Sequence, residues 1–267
     1  MLWFSRGTLP GYAETILPMV EAAVVVSLGD PYDVRELGGH ANHRPRGYLV
    51  GPRQVAIRNQ PTGLCWTVGA TLRPGAIPAL FGVPSRAVRD AVLDLDTVWG
   101  HGLESLREQI AVQPAVDRAL SVWERALRAR CDPDADIRTR RARLALHLLM
   151  DEPPGSSVGG VADRVGLTRQ HLARELNRIA GLSPGEVRRL ARFEQFLGSI
   201  DTRHPVNWAQ LAACAGYADQ SHMVRDFKLL AGLGPSAYVA RRTRVLGPLP
   251  PGADPAFVPE VPPVQDS

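Results

Sequence analysis

The chain contains the stretch GLTRQHLARELNRIAGLSP, residues 166–184, and repeats its pattern in GYADQSHMVRDFKLLAGLGP, residues 216–235. Gly166 corresponds to Gly216 at an offset of 50 residues, and after one extra residue in the second copy Gly181 corresponds to Gly232 at 51. A duplicated unit identifies an architecture more reliably than composition does. The repeat therefore predicts two copies of one small supersecondary unit.

Both copies carry helix start and stop signals at matching places. The side-chain oxygens of Thr168 and Asp219 are suited to cap a first turn, and Gly181 and Gly232 allow the left-handed conformation that ends a helix. Each copy thus predicts a short helix, a tight turn and a second helix. The predicted helix-turn-helix units span 157–180 and 207–231, and a long amphipathic helix at 185–199 links them.

The second helix of such a unit enters the DNA major groove with its N-terminal residues. Apolar residues spaced by four and three should face the core; they are Leu172, Leu176 and Ile179 in the first copy and Met223, Phe227 and Leu230 in the second. The opposite face supplies the candidates for contact with base edges: Arg169, Gln170, Ala173, Arg174, Gln220, Ser221, Val224 and Arg225. Guanidinium suits guanine, an amide suits adenine and a small apolar group suits the thymine methyl.

Other polar side chains are candidates for contact with phosphate. His171 and His222 correspond in the repeat and could touch phosphate, or pack at the helix edge. Arg188, Arg189 and Arg192 of the long helix could grip phosphate, or form an ordinary solvated face.

The second copy resembles a known family. It resembles the second helix-turn-helix of AraC/XylS-type transcription regulators. That pattern begins with Gly and an aromatic residue, continues with Arg, Phe-Lys and Gly, and ends with Pro-Ser and an aromatic residue. The matching residues are Gly216, Tyr217, Arg225, Phe227, Lys228, Gly232, Pro235, Ser236 and Tyr238. Met223 stands where that family often has Phe. The resemblance spans about 137–244 and implies an all-helical domain that presents both reading helices to one face of double-stranded DNA. It also implies RNA polymerase as a partner, a role as activator and no cofactor.

The distribution of positive charge along the chain favours a nucleic-acid partner. The net charge is +4, but residues 137–246 hold 17 Arg or Lys against 9 Asp or Glu, so the positive charge is concentrated in the half that contains the repeat. Basic surface attracts nucleic acid by releasing counterions from phosphates. All basic residues except Lys228 are Arg, which is also typical of a GC-rich genome, so the choice of Arg carries no weight.

The first part of the chain predicts a separate domain at 1–130, with 131–246 as the DNA-binding domain. Short apolar runs such as AAVVVSL, GYLVGP, VAIRN and LCWTVGATLRPG predict strands, and LESLREQIAV and VDRALSVWERALRAR predict helices. The fold class is thus α+β multidomain. The segments RPG, LFGVPSRAV and LDLDTVWG resemble the N-terminal domain of a poorly characterised branch of AraC-type regulators. This resemblance implies a cupin-like β domain that binds a small effector or mediates dimerisation.

That resemblance leaves a small-molecule effector and a homodimer open as partners, and it assigns no residue to an effector. The alternative function is a cupin-like enzyme or ligand-binding protein with an accessory helical domain. The sequence contains no GxSxG, no Gly-rich phosphate loop and no set of catalytic residues, so we expect the protein not to be an enzyme.

Several features are interpreted without a functional role. Cys65, Cys131 and Cys214 lack metal-site spacing and predict reduced thiols in a cytoplasm, with Cys65 in a buried strand. His40 and His43 predict a solvated loop and no metal site. No apolar run is long enough to span a membrane, and the Pro-rich residues 247–267 predict a disordered tail.

Two further predictions concern packing. Trp99, Trp123 and Trp208 are expected in the core, since large aromatic side chains are mostly buried. In IRTRRARLALHLLM, residues 137–150, the spacing of Leu144, His147 and Leu148 predicts a shared helix face.

Overall fold

The computed structural model describes residues 1–8, 13–36, 45–151, 157–248 and 257–259. The chain is an α+β protein, in which a β domain with accompanying helices precedes a helical domain. This confirms the predicted fold class. Among the described residues no helix is long and apolar enough to cross a membrane.

Two antiparallel sheets form the β domain. The strands are β1 (Leu2–Thr8), β2 (Glu14–Ile16), β3 (Ala22–Ser27), β4 (Tyr32–Glu36), β5 (Gly47–Val50), β6 (Ile57–Pro61), β7 (Leu64–Leu72), β8 (Val92–Asp94) and β9 (Phe257–Pro259). One sheet has the order β1-β7-β3-β5-β8, and the other has the order β4-β6-β2-β9. The apolar runs predicted β3, β5, β6 and β7. They did not predict β1 and β4, nor the three-residue strands β2, β8 and β9, which have too few residues to show an alternating pattern.

Strand β9 corrects the prediction for the tail. Val258 pairs with Thr15, so Phe257–Pro259 extend the four-stranded sheet instead of lacking regular structure. The pairing partner lies more than 240 residues away in sequence, so no local pattern could reveal it. The remaining tail residues after 248 lie outside the described ranges.

Helices cover the outer face of the five-stranded sheet. They are α1 (Ala76–Phe81), a 3₁₀ helix at Ser85–Val88, α2 (Leu95–Trp99), α3 (Leu103–Ala111) and α4 (Val116–Arg130). Trp99 and Trp123 stack at 5.4 Å between ring centroids inside this layer, as predicted for core aromatics. Cys65 lies buried in β7 on the opposite, inner face of the sheet, which confirms its predicted place in a buried strand.

In the described residues from 135 to 248, seven helices form the second domain. They are α5 (Ala135–Asp151), α6 (Val158–Arg164), α7 (Arg169–Ala180), α8 (Pro184–Gly198), α9 (Trp208–Cys214), α10 (Gln220–Ala231) and α11 (Pro235–Leu246). Helices α6 and α7 form the first predicted unit, α9 and α10 the second, and α8 links them.

The face of α5 that Leu144, His147 and Leu148 share is mostly exposed to solvent. Leu144 is 51% exposed and His147 is exposed, whereas the side chains that enter the core are Ala142, Ala145, Leu146 and Leu149. The helix contains apolar residues on more than one face, so the spacing alone allowed two choices. The buried face is the one that packs against α7 and α8.

The two domains share a core and hydrogen bonds. Leu17, Val20 and Ala56 of the β domain pack into the helical core. The amide of Ala56 donates to the carbonyl of Leu230 at 2.9 Å, near the end of α10. Division of the sequence at residue 130 did not predict this shared packing.

A second set of contacts joins the β domain to the end of α7 and the start of α8. Ser85 Oγ donates to the carbonyl of Ile179 at 2.8 Å, and the amide of Gly75 donates to the same carbonyl at 2.8 Å. Arg89 forms two hydrogen bonds to the Glu186 carboxylate, at 2.9 and 3.2 Å. The β domain therefore contacts the elements that position both predicted reading helices.

Candidate nucleic-acid interface

The turns of the two helix-turn-helix units have the same geometry. Gly166 and Gly216 have positive φ, 70° and 76°, a conformation that costs glycine little. Each amide donates to the carbonyl three residues earlier, at 3.1 and 3.0 Å. The next residue in each copy, Leu167 or Tyr217, donates to a carbonyl five residues earlier at 2.9 Å. The repeat in sequence is thus a repeat in backbone structure.

The second helices begin and end as predicted. Thr168 Oγ1 accepts from the His171 amide at 3.2 Å, and Asp219 Oδ1 accepts from the His222 amide at 2.7 Å. The C-caps Gly181 and Gly232 adopt φ of 68° and 73°. The turns match at an offset of 50 and the caps at 51, so the extra residue of the second copy lies between Tyr217 and Asp219.

The core and the exposed faces divide as the spacing predicts. The six apolar residues predicted to face the core are all buried: Leu172, Leu176, Ile179, Met223, Phe227 and Leu230. Of the base-contact candidates, Arg169, Gln170, Arg174, Gln220, Ser221 and Arg225 are exposed, and Ala173 and Val224 are half-buried. Each helix therefore presents polar side chains at its N-terminal end, as insertion into a major groove requires.

Arg169 has a contact within the protein. A Cβ atom built on Gly159 would lie 2.4 Å from its Nη2, so the guanidinium lies directly over the first turn of α6. Arg169 therefore lies close to the other helix of its unit and is also exposed to solvent.

The two histidines are not equivalent, although the repeat aligns them. His171 is exposed, with Nε2 4.0 Å from Oε1 of Glu175. His222 is half-buried and packs edge-on against the Tyr217 ring at 5.4 Å. His171 is open to solvent as a phosphate contact needs, whereas His222 packs at the helix edge, the alternative considered from sequence.

The arginines of α8 also differ from one another. Arg188 is half-buried. Arg189 Nε donates to Oδ1 of Asp226 at 2.6 Å, and Arg192 Nη2 lies 3.8 Å from Oδ2 of the same carboxylate. Arg192 also lies over the Tyr217 ring, 4.6 Å from its centroid. Arg189 and Arg192 therefore join α8 to α10 within the protein.

Asp226 is a positioning residue that sequence reasoning missed. Its side chain is 8% exposed, and Oδ2 also accepts from the Tyr217 hydroxyl at 3.2 Å. Burial first, and then the charge of Asp226, raises the pKa of Tyr217. One signal was available: Asp226 lies three residues after Met223, beside the apolar stripe, where an acid must be paired to be buried.

Aromatic packing supports the second unit. Phe196 of α8 contacts Phe227 at 6.0 Å, Tyr217 at 6.0 Å and Trp208 at 6.3 Å between ring centroids. Phe193 contacts Phe227 at 5.2 Å. Trp208 is half-buried, so its predicted core position is at the edge of this cluster. The linking helix thus holds α10 by aromatic contacts and by an ion pair.

No metal site is found in the described part of the chain, where no group of three His, Cys, Asp or Glu side chains could hold an ion. His40 and His43, which the sequence predicts in a solvated loop, lie outside the described residues.

Comparison with known proteins agrees with this geometry. Residues 161–241 match the family described as helix-turn-helix domain, which covers α7 to α10 and most of α6 and α11. Residues 161–241 form an AraC-type helix-turn-helix domain. The protein is accordingly a DNA-binding transcription regulator, and DNA is a partner of its AraC-type domain. Residues 1–94 match a domain of unknown function (DUF6597), which covers all of β1 to β8. No curated protein matches the sequence.

Solved structures of ToxT from Vibrio cholerae are similar to most of the chain. One is 10% identical with a TM-score of 0.45 and covers 89% of this chain and 97% of its own. ToxT from strain O395 is 10% identical with a TM-score of 0.46, covering 89% and 96%. ToxT bound to an unsaturated fatty acid is 11% identical with a TM-score of 0.44, covering 89% and 94%. Likeness at this level does not extend the properties of ToxT to this chain.

Proposed function

We propose that the protein reads two successive major-groove segments of double-stranded DNA, with α7 and α10 as the reading helices. The observation that carries the proposal is the equivalence of the two units, in which turns, caps and exposed N-terminal side chains all correspond. Two reading helices on one domain favour an asymmetric site about two DNA turns long, with half-sites roughly 34 Å apart.

The proposed division of roles follows from exposure. Arg174 and Arg225 are exposed and have matching positions on their helices, so they are the first choices for contact with guanine. Gln170 and Gln220 have amides suited to adenine. Ala173 and Val224 supply apolar contact to a thymine methyl. His171 and Arg188 remain candidates for phosphate.

The proposal also includes RNA polymerase, and a small effector or a second copy of the chain, as partners. An activator bound upstream of a promoter recruits RNA polymerase, and the β domain responds to a small effector or pairs two copies of the chain. A regulator that binds chromosomal DNA acts in the cytoplasm, and the three free cysteines agree with that location. An enzyme with an accessory helical domain is not favoured, because the matching base-reading positions have no purpose in it.

Genome-wide immunoprecipitation of the protein, followed by footprinting of the enriched sites, tests the proposal. We expect footprints of about two DNA turns that lack internal palindromy. Absence of any enriched DNA sequence contradicts DNA recognition. A palindromic site with one short half per protomer contradicts reading by both helices of one chain.

A further inference from the structure

The last described strand connects the two domains a second time. Strand β9 (Phe257–Pro259) follows α11 of the DNA-binding domain, yet it pairs antiparallel with β2 of the β domain. Val258 lies opposite Thr15 in this ladder. The same strand packs against α11. β9 therefore contacts a helix of one domain and a sheet of the other.

Strand β2 leads directly into the core that the two domains share. Thr15 is 2% exposed, and Leu17 and Val20, which follow the strand, are buried in the helical core. Tyr238 of α11 belongs to the same core. β9 thus joins the sheet beside the residues through which the β domain contacts the helical domain.

Helix α11 supports the second reading helix. Tyr238 is buried, and its ring centroid lies 5.6 Å from that of Phe227 in α10. Arg242, one turn further along α11, is also buried, and its Nη1 donates to the Tyr238 hydroxyl at 3.3 Å. α11 therefore packs on the buried side of α10, opposite the residues proposed to read bases.

The pairing of β9 is weak enough to open without unfolding of the sheet. The ladder joins three residue pairs in the described part of the chain, and the hydrogen bonds of so short a strand gain little beyond the entropy cost of ordering it. Pro259 has no amide hydrogen, as suits an edge strand. Residues 249–256 join β9 to α11, so the pairing is intramolecular and re-forms at a high effective concentration.

We propose that β9 is a strap that holds α11 against the β domain and thereby positions α10 for DNA, an inference that rests on the proposed function. Gln220, Ser221 and Arg225 are exposed while β9 is paired, so the strap does not cover the reading face. Release of the strap loosens α11 and α10 but not α7, because α7 packs on α5 and accepts the hydrogen bond from Ser85 at Ile179. The strap therefore controls recognition of the second half-site.

The first experiment breaks the ladder in the full chain. Phe257→Pro combined with Val258→Pro removes the remaining amide donors of β9, since Pro259 has none. Hydrogen exchange followed by mass spectrometry should show faster exchange in β2, α11 and α10 and unchanged exchange in α7. Val261→Pro combined with Val264→Pro is the matched control, because it makes the same kind of change in the same tail after β9.

DNA binding of the same variants measures the positioning of α10. Affinities are compared for the footprinted site and for sites mutated in the first or in the second half. Release of β9 should weaken binding to the intact site by roughly threefold to tenfold, and the loss should disappear on DNA whose second half is mutated. The control variant should bind like the wild type.

A disulfide makes the opposite change. Residues directly opposite each other in an antiparallel pair have Cα atoms about 4.5–5.5 Å apart, a separation that a disulfide can bridge. Oxidation of Thr15→Cys combined with Val258→Cys should therefore link positions 15 and 258 within one chain, which peptide mass mapping identifies. The oxidised protein should exchange more slowly in α11 than its reduced form and should bind the intact site at least as tightly as the wild type.

The outcomes separate the strap from the proposed function. Exchange in β2 and α11 that matches the control, a disulfide that links two chains, or equal losses at both half-sites overturns the proposal. If the double Pro variant does not fold, the disulfide decides, and equal exchange of α11 in its oxidised and reduced forms overturns the strap. A wild type that recognises neither half-site rejects the proposed function, and the exchange data still decide whether β9 holds α11.

Discussion

Arg189 of the linking helix donates from Nε to Oδ1 of Asp226 in the second reading helix across 2.6 Å. The two residues are 37 positions apart in sequence. The same carboxylate receives the Tyr217 hydroxyl from the turn that precedes α10. One buried acid thus sets how α10 lies against α8, and this relation makes the orientation of the second reading helix dependent on a residue that faces away from DNA.

Replacement of Asp226 by Ala should destabilise the protein by roughly 1–3 kcal/mol, because it removes the hydrogen-bond acceptor of Arg189 and Tyr217 while Arg189 is partly exposed to solvent. It should also weaken binding to the second half-site more than to the first. Denaturant unfolding and binding to sites mutated in one half measure the two effects. Asp163→Ala, at an exposed position in α6, is the control and should change stability by less than about 0.5 kcal/mol. Equal losses in both variants would refute a special role for Asp226.

Replacement of Arg174 or Arg225 by Ala should cost about 1–3 kcal/mol of DNA binding and relax sequence preference at one position each. Selection of preferred sites from random DNA, for the wild type and both variants, provides the measurement. Arg118→Ala changes an exposed arginine of the β domain and should leave the preference intact. A variant that keeps full preference but shows a lower salt slope contacts phosphate and not a base.

Replacement of Arg89 by Ala should loosen the contact between the domains. Its two hydrogen bonds to Glu186 are partly exposed, so we expect a loss of only about 1 kcal/mol of stability, but a measurable change in the DNA affinity of the full chain. Arg35→Ala removes an ion pair inside the β domain, with Asp33, and should not change DNA affinity. Unchanged affinity in both variants would show that this ion pair does not couple the domains.

The pH dependence of stability should report on Glu194 in α8. Burial first, and then the charge of Glu21 in the β domain, raises the pKa of Glu194 from about 4.5 to about 7. A raised carboxyl pKa favours the protonated form in the fold, so its contribution is present below pH 4.5 and is lost as pH rises through 7.

Glu194→Gln should therefore be more stable than the wild type at pH 8, by roughly 2–3 kcal/mol, and nearly equal to it at pH 5. Denaturant unfolding at the two pH values measures the difference. Glu108→Gln, on the exposed side of α3, should show no such difference. A wild type that gains stability between pH 5 and pH 8 relative to Glu194→Gln would contradict the shift.

The sequence by itself determined the helix-turn-helix units. Caps at Thr168 and Asp219, stops at Gly181 and Gly232, and the buried stripes depend on residues within one or two turns of each other. Backbone geometry relates such neighbours directly, so spacing predicts which side chains are buried and which are exposed. Where apolar residues lie on more than one helix face, as in α5, spacing does not show which face is buried, because packing makes that choice.

Only the tertiary structure decided the long-range relations. Arg189 meets Asp226, Arg89 meets Glu186 97 residues later, and Thr15 pairs with Val258 of the last strand. None of these pairs shares a local pattern, since each forms only when separate elements pack together. The burial of Arg53 has the same origin: the sequence shows an arginine in a loop, and only the packing of the β domain around it leaves the residue 2% exposed.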